Sequence, residues 1–256
     1  MTVSNIVSPL MNNLDRFLLG MLIPVSMVSY YTTPAEIVNK LAFIPEGIVS
    51  VVFPAVVASF AGDRLHASTM YGRGYKLVFL LLLIPIALLF LLGQDILSHW
   101  VNPVFAEKAA PALKVLAVGL WINGLARVAF NVIQGAGRPD VTAKIHLVEI
   151  LPFLTLFYLM VQEYGYLGAA ISWMLRVVLD AVIMFNVANR FTPLPITTRQ
   201  HVFSLLLVLL LWPATMIEST GLMVHAILAS LIIVTVVAAS AYNFLGWLGL
   251  SRIFKF

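Results

Sequence analysis

The chain has 256 residues, of which 61% are hydrophobic and 10% charged, against roughly 25% charged in a soluble domain; this excludes a soluble globular protein and predicts an all-α, polytopic transmembrane helix bundle. The net charge of +4 does not point to nucleic acid, because the basic residues fall in short loops between apolar runs. The absence of cysteine excludes disulfides, thioether-linked haem and thiolate metal sites.

At about 20 residues per crossing, the apolar runs predict about eight spans, at 3–23, 29–59, 77–92, 109–134, 145–161, 167–188, 202–217 and 222–246. The first carries Asp15 and Arg16 inside an apolar stretch, where each would cost roughly 2.5–3.5 kcal/mol at the bilayer centre unless paired or wetted. On a helix turning about 100° per residue, Asn5, Ser8, Asn12, Asp15 and Arg16 fall on one face. Such a stripe needs a polar cavity to face. No basic leader or small-residue cleavage site precedes it, so the chain is expected to lack the start of a larger protein.

The second span is punctuated by Pro34, Pro45 and Pro54, which remove backbone donors and can kink a membrane helix. Its polar residues, Ser29, Thr32, Glu36, Asn39, Lys40 and Ser50, cluster on one face. Glu36 and Lys40 stand one turn apart in the favourable order, either as a self-neutralising pair or as the lining of a hydrated path. Residues 62–76 are short, basic and partly aromatic, which suits a segment lying along the membrane surface or a plain loop.

The fourth span repeats the pattern with Asn123, Arg127, Asn131 and Gln134 on one face. Arg127 has no acid within helical reach. Its partner must come from another helix, a ligand or water, which makes it the best candidate for binding an anion, unless it snorkels to the interface. Residues 135–140, Gly-Ala-Gly-Arg-Pro-Asp, read as a helix stop and tight turn. Near the start of the fifth span stand Lys144, His146 and Glu149, with Glu46 a comparable case. Arg176 and Asp180 sit one turn apart in the sixth span beside Ser172, as a structural pair or a site. Spans three, seven and eight carry no charge in their apolar stretches and read as scaffold.

Positive residues mark cytoplasmic loops. Arg64, Arg73, Lys76, Arg138, Lys144, Arg190, Arg199, Arg252 and Lys255 fall in alternate loops or the tail, against Lys108 alone in the others. Nine against one places both termini in the cytoplasm. The five histidines show no metal-ligand spacing, and no phosphate-binding glycine-lysine loop is present, so no metal, cofactor or catalytic residue is expected.

At residues 13–20, Asn-Leu-Asp-Arg-Phe-Leu-Leu-Gly, the sequence resembles the bacterial polysaccharide transporters, the O-antigen flippases of the multidrug/oligosaccharidyl-lipid/polysaccharide exporter superfamily. Phe43-Ile44-Pro45 with Val52-Phe53-Pro54-Ala55, Gln134-Gly135-Ala136-Gly137-Arg138-Pro139, and Tyr164-Gly165-Tyr166-Leu167-Gly168-Ala169-Ala170 are similar to the same family. The resemblance implies one lobe of a two-lobed transporter, a C-terminal six-helix lobe over 1–190, followed by two additional helices over 191–256. It implies flipping of polyprenyl-diphosphate-linked oligosaccharide across a bacterial inner membrane, with Asp15, Arg16, Glu36, Lys40 and Arg127 in the cavity. Asn12, Asn39, Asn123, Arg176 and Asp180 join them by helical position. Membrane lipid and a missing N-terminal lobe or second copy are the expected partners, and no nucleic acid. A drug or cation exporter of the same fold, a membrane glycan polymerase or glycosyltransferase, and an inert fragment are the alternatives.

Overall fold

The structure, a computed structural model, describes residues 15–60 and 62–192. The spans predicted at 202–217 and 222–246, the 191–256 unit beyond residue 192, and Asn12 lie outside the described residues. Helices follow one another with no strand among the described residues: α1, helical over 15–22, α2 (Val25–Lys40), α3 (Phe43–Phe60), α4 (Arg64–Trp100), α5 (Pro103–Gly135) and α6 (Pro139–Ala188). The stretches Val25–Phe60, Arg64–Trp100, Pro103–Gly135 and Pro139–Ala188 are each long and apolar enough to cross a membrane.

Local chemistry sets the boundaries. The predicted second span is broken between α2 and α3, because Pro45 has no N–H for the Leu41 carbonyl. That carbonyl accepts instead from Ile44 N at 3.1 Å, while Leu41 N and Ala42 N reach back three residues. Pro34 and Pro54, by contrast, lie inside continuous helices. Asp63 caps α4 by accepting from His66 N at 3.0 Å, so residues 64–76 form the first turns of that helix and not a plain loop. Ala67, Ser68, Tyr71, Gly74 and Tyr75 are buried there. At 37 residues α4 is about 55 Å long, more than the ~30 Å hydrocarbon core. Asn102 caps α5 through Phe105 N at 2.8 Å, with Pro103 opening the helix.

The predicted stop after Gln134 is a Schellman turn: Arg138 N donates to Ile133 O at 3.2 Å and Gly137 N to Gln134 O at 3.0 Å, with Gly137 at φ 76° in the left-handed region that glycine enters freely. The long helix α6 is folded at Gly165 (φ 57°, ψ −134°). Its N-arm and C-arm pair around that point: His146 meets Asp180, Phe153 meets Arg176, and Gly168 lies against the Met160 carbonyl. Each arm has about 23–26 residues, enough for one crossing, in agreement with the spans predicted at 145–161 and 167–188.

The same symmetry recurs along the chain. Asp15 and Arg16 meet Tyr31 and Glu36 across the Pro24 turn, Phe79 packs on Trp121 at 5.1 Å across the α4–α5 turn, and Phe130 stacks on His146 across the α5–α6 turn. Helices α1 and α2, α4 and α5, and α5 and α6 are therefore antiparallel, while α2 and α3 follow one another along one stretch, Val25–Phe60. Helix α5 is central, with Leu113, Leu116, Trp121, Leu125 and Ile133 all buried. Small residues Ala106, Ala109, Ala112, Ala117 and Gly119 let its neighbours approach closely, the usual basis of helix packing in lipid. On α4, Val78, Leu82 and Ile86 are buried while Leu77, Leu81, Ile84 and Leu88 are exposed, an apolar stripe suited to lipid.

Candidate functional site

Against this apolar background the charged side chains of α1, α2, α3, α5 and α6 gather in one seam. Asp15, 5% exposed, accepts a hydrogen bond from the Tyr31 hydroxyl of α2. The next residue, Arg16, donates to Glu36, also on α2. The i,i+4 pairing of Glu36 with Lys40 is thus not the one formed: Arg16 reaches Glu36 from the facing helix. Lys40 and Asn39 are exposed at the end of α2, with no ion pair to Lys40 among the described residues.

Arg127 likewise has a partner. Its Nη2 lies 3.0 Å from Glu46 Oε1 on α3, and both side chains keep roughly half their surface open, at 44% and 57%. The Pro45 break delivers this contact, because it starts α3 afresh with Glu46 in its first turn. Asn131, one turn on, is occupied by donating to the Arg127 carbonyl at 2.7 Å, and Gln134 by donating to Thr142 Oγ1 at 2.8 Å. Asn123 is half-buried on α5.

On α6, Arg176 and Asp180 do not pair within their own arm. Arg176 lies over the Phe153 ring, 5.4 Å from its centroid, and Asp180 Oδ1 faces His146 Nε2 at 3.6 Å across the hairpin. Ser172 is spent on its own helix, donating to the Gly168 and Ala169 carbonyls. The Arg176 charge acts on Asp15 as well as on His146, Glu149 and Asp180, which ties the α6 hairpin to α1.

The structure thus brings Asp15, Arg16, Glu36, Arg127, Arg176 and Asp180 into one charged region and leaves Lys40 and Asn39 at its open edge. Sequence reasoning missed two partners, Tyr31 and the pairing of Glu46 with Arg127, and undervalued Glu149. That side chain is 3% exposed beside Asp180. A carboxylate on the inward face of an apolar helix was the available signal. Chemically, the seam offers carboxylates and guanidiniums that can exchange partners.

Comparison with known proteins agrees with this architecture. The chain is 39% identical over 184 residues to the "Putative O-antigen transporter" of Shigella flexneri, covering 72% of this chain and 44% of that protein. It is 23% identical over 172 residues to the "Probable flippase AglR" of Haloferax volcanii, covering 66% and 36%. An uncharacterized membrane protein of Methanocaldococcus jannaschii is 27% identical over 150 residues, covering 57% and 29%. The chain therefore spans less than half the length of these curated relatives. The MatE family pattern matches residues 1–159, more than half of the chain and all of the seam from Asp15 to Glu149: this multi-pass membrane protein belongs to the MatE family.

Proposed function

We propose that this chain forms one wall of a flippase that moves polyprenyl-diphosphate-linked oligosaccharide across the bacterial inner membrane, with residues 1–190 as a six-helix lobe, residues 191–256 as an additional helix pair, and the loops around Arg64 and Arg138 in the cytoplasm. The observation that carries this reading is the charged seam: Arg16, Arg127 and Arg176, with their acids, line one region of a bundle that is otherwise apolar. A glycan cannot cross hydrocarbon unaided. Its path must be polar for sugars and cationic for diphosphate, while the prenyl tail stays in lipid. The names of the Shigella and Haloferax relatives support the substrate class.

The pairing of Arg127 with Glu46 refines how a diphosphate would be held. Glu46 orients the guanidinium when the cavity is empty, and the incoming diphosphate takes its place through bidentate contacts. No bond in the substrate is made or broken. A complementary lobe, or a second copy, closes the other side of the path, and rocking of one against the other gives alternating access. A second reading, export of cationic compounds by the same fold, is favoured by the carboxylates Asp15, Glu36, Glu46, Glu149 and Asp180 in the same region.

The test is flipping of a polyprenyl-diphosphate oligosaccharide in proteoliposomes holding the assembled transporter, with a cationic dye assayed in parallel. Arg127→Ala is expected to slow glycan flipping at least about tenfold, equivalent to losing one charge-assisted contact of roughly 1.5 kcal/mol. Glycan flipping unchanged by Arg127→Ala would sink the proposal, and dye transport abolished by Glu46→Gln in its place would support the exporter.

A further inference from the structure

One group in the seam has no use in holding a diphosphate. Glu149 is 3% exposed, and neither of its carboxylate oxygens accepts a hydrogen bond from the described residues. Its neighbour across the α6 hairpin is the Asp180 carboxylate, whose Oδ1 is also enclosed without a hydrogen bond. The cations nearby are engaged elsewhere: Arg127 on Glu46 at 3.0 Å, and Arg176 over the Phe153 ring. His146 Nε2 stands 3.6 Å from Asp180, beyond hydrogen-bond reach, and its ring stacks on Phe130.

A buried carboxyl group beside a half-buried one, with no donor among the described residues reaching Glu149, is one hydrogen short. A proton on either one supplies it: the O–H donates to the other carboxylate, two like charges become one, and both arms of the hairpin are held together. Pairs of acids in a shared dry site behave this way. The groups facing the pair are His146 from the N-arm, Arg176 from the C-arm and Arg127 from α5.

We propose that Glu149 and Asp180 bind one proton between the two arms of α6, and that its release lets the arms separate. The site does not depend on the flippase reading above. With one proton bound the pair carries a single negative charge, which the neighbouring Arg176 balances. With none it carries two, and the repulsion acts across the hairpin, on either side of the hinge at Gly165. A buried ionisable group in a membrane helix is a natural proton-relay element.

The test uses the purified full chain in nanodiscs. Infrared spectroscopy at neutral pH should show a protonated-carboxyl stretch that disappears on titration to alkaline pH and is absent from Glu149→Gln. In a chain with no native cysteine, spin labels at Leu147→Cys and Val182→Cys, exposed positions on opposite arms, should move apart over the same pH range. In Glu149→Gln, whose amide supplies a permanent donor, their distance should not change. If Glu149→Gln does not fold, Glu149→Asp, which keeps a carboxyl group, is expected to restore both signals with a shifted midpoint. Absence of a protonated carboxyl in the wild type at neutral pH overturns the proposal, as does a stretch retained in both Glu149→Gln and Asp180→Asn. Closure driven by sodium at constant pH overturns it too, by making the occupant a metal cation. An assembled transporter that gives both signals yet flips no glycan refutes the flippase reading and leaves the site standing; glycan flipping by the assembled transporter without either signal refutes the site alone.

Discussion

At the scale of single residues, every charged pair that matters crosses between helices. Spacing along one helix shows which side chains share a face, so the polar stripes of Asp15–Arg16 and Asn123–Arg127 were legible in the sequence. It cannot show which acid comes from the facing helix. Glu36 therefore reads as the partner of Lys40 in sequence and is the partner of Arg16 in space, 20 positions away, while Glu46 reaches Arg127 across 81 positions. Two outcomes follow. Tyr31→Phe removes the donor to Asp15 and leaves a buried carboxylate unsatisfied, which should lower stability by about 1–3 kcal/mol in a thermal melt in detergent. Exchanging the charges of the other pair, Glu46→Arg with Arg127→Glu, should restore protein levels lost in Arg127→Glu alone, yet leave glycan export low. Full recovery of export by the exchange would reduce the pair to a structural one.

Among the elements, proline and glycine positions decide the geometry. The helix stop at residues 135–140 and the kink potential of Pro45 were readable because both act locally. The depth of α4 into the 64–76 region was not, since its polar and basic residues mask a helix whose small and aromatic side chains, Ala67, Gly74 and Tyr75, pack inward. Nor could sequence show that the α6 arms touch at Gly168, where an added Cβ would run into the Met160 carbonyl. Gly165→Ala should cost about 1–3 kcal/mol, because its backbone occupies a region only glycine populates. Gly168→Val should be worse, since backbone and not a flexible side chain blocks it. Urea or thermal unfolding of the hairpin variants checks both. Pro45→Ala restores a donor for the Leu41 carbonyl, so it should join α2 and α3, withdraw Glu46 from Arg127 and slow transport while leaving the protein folded.

For the molecule as a whole, the claim is that the charged seam faces water while the opposite surface faces lipid. On the proposed reading the exposed stripe Leu77, Leu81, Ile84 and Leu88 on α4 is the lipid side, and the half-open Glu46–Arg127 pair, with Asn39 and Lys40, is the wet side. Exposing that wet wall to hydrocarbon would cost several kcal/mol if two charges lost their partners, which is why a complementary lobe or a second copy is expected against it. Because the chain has no cysteine, one introduced thiol at a time reports its own surroundings. The decisive measurement is labelling with a membrane-impermeant thiol reagent in intact membranes at positions 39, 123 and 127, compared with 81 and 88. The first three are expected to react in at least one access state and to be protected by lipid-linked glycan, while 81 and 88 stay unlabelled. Labelling of 81 and 88 with 39, 123 and 127 silent in every state would contradict it.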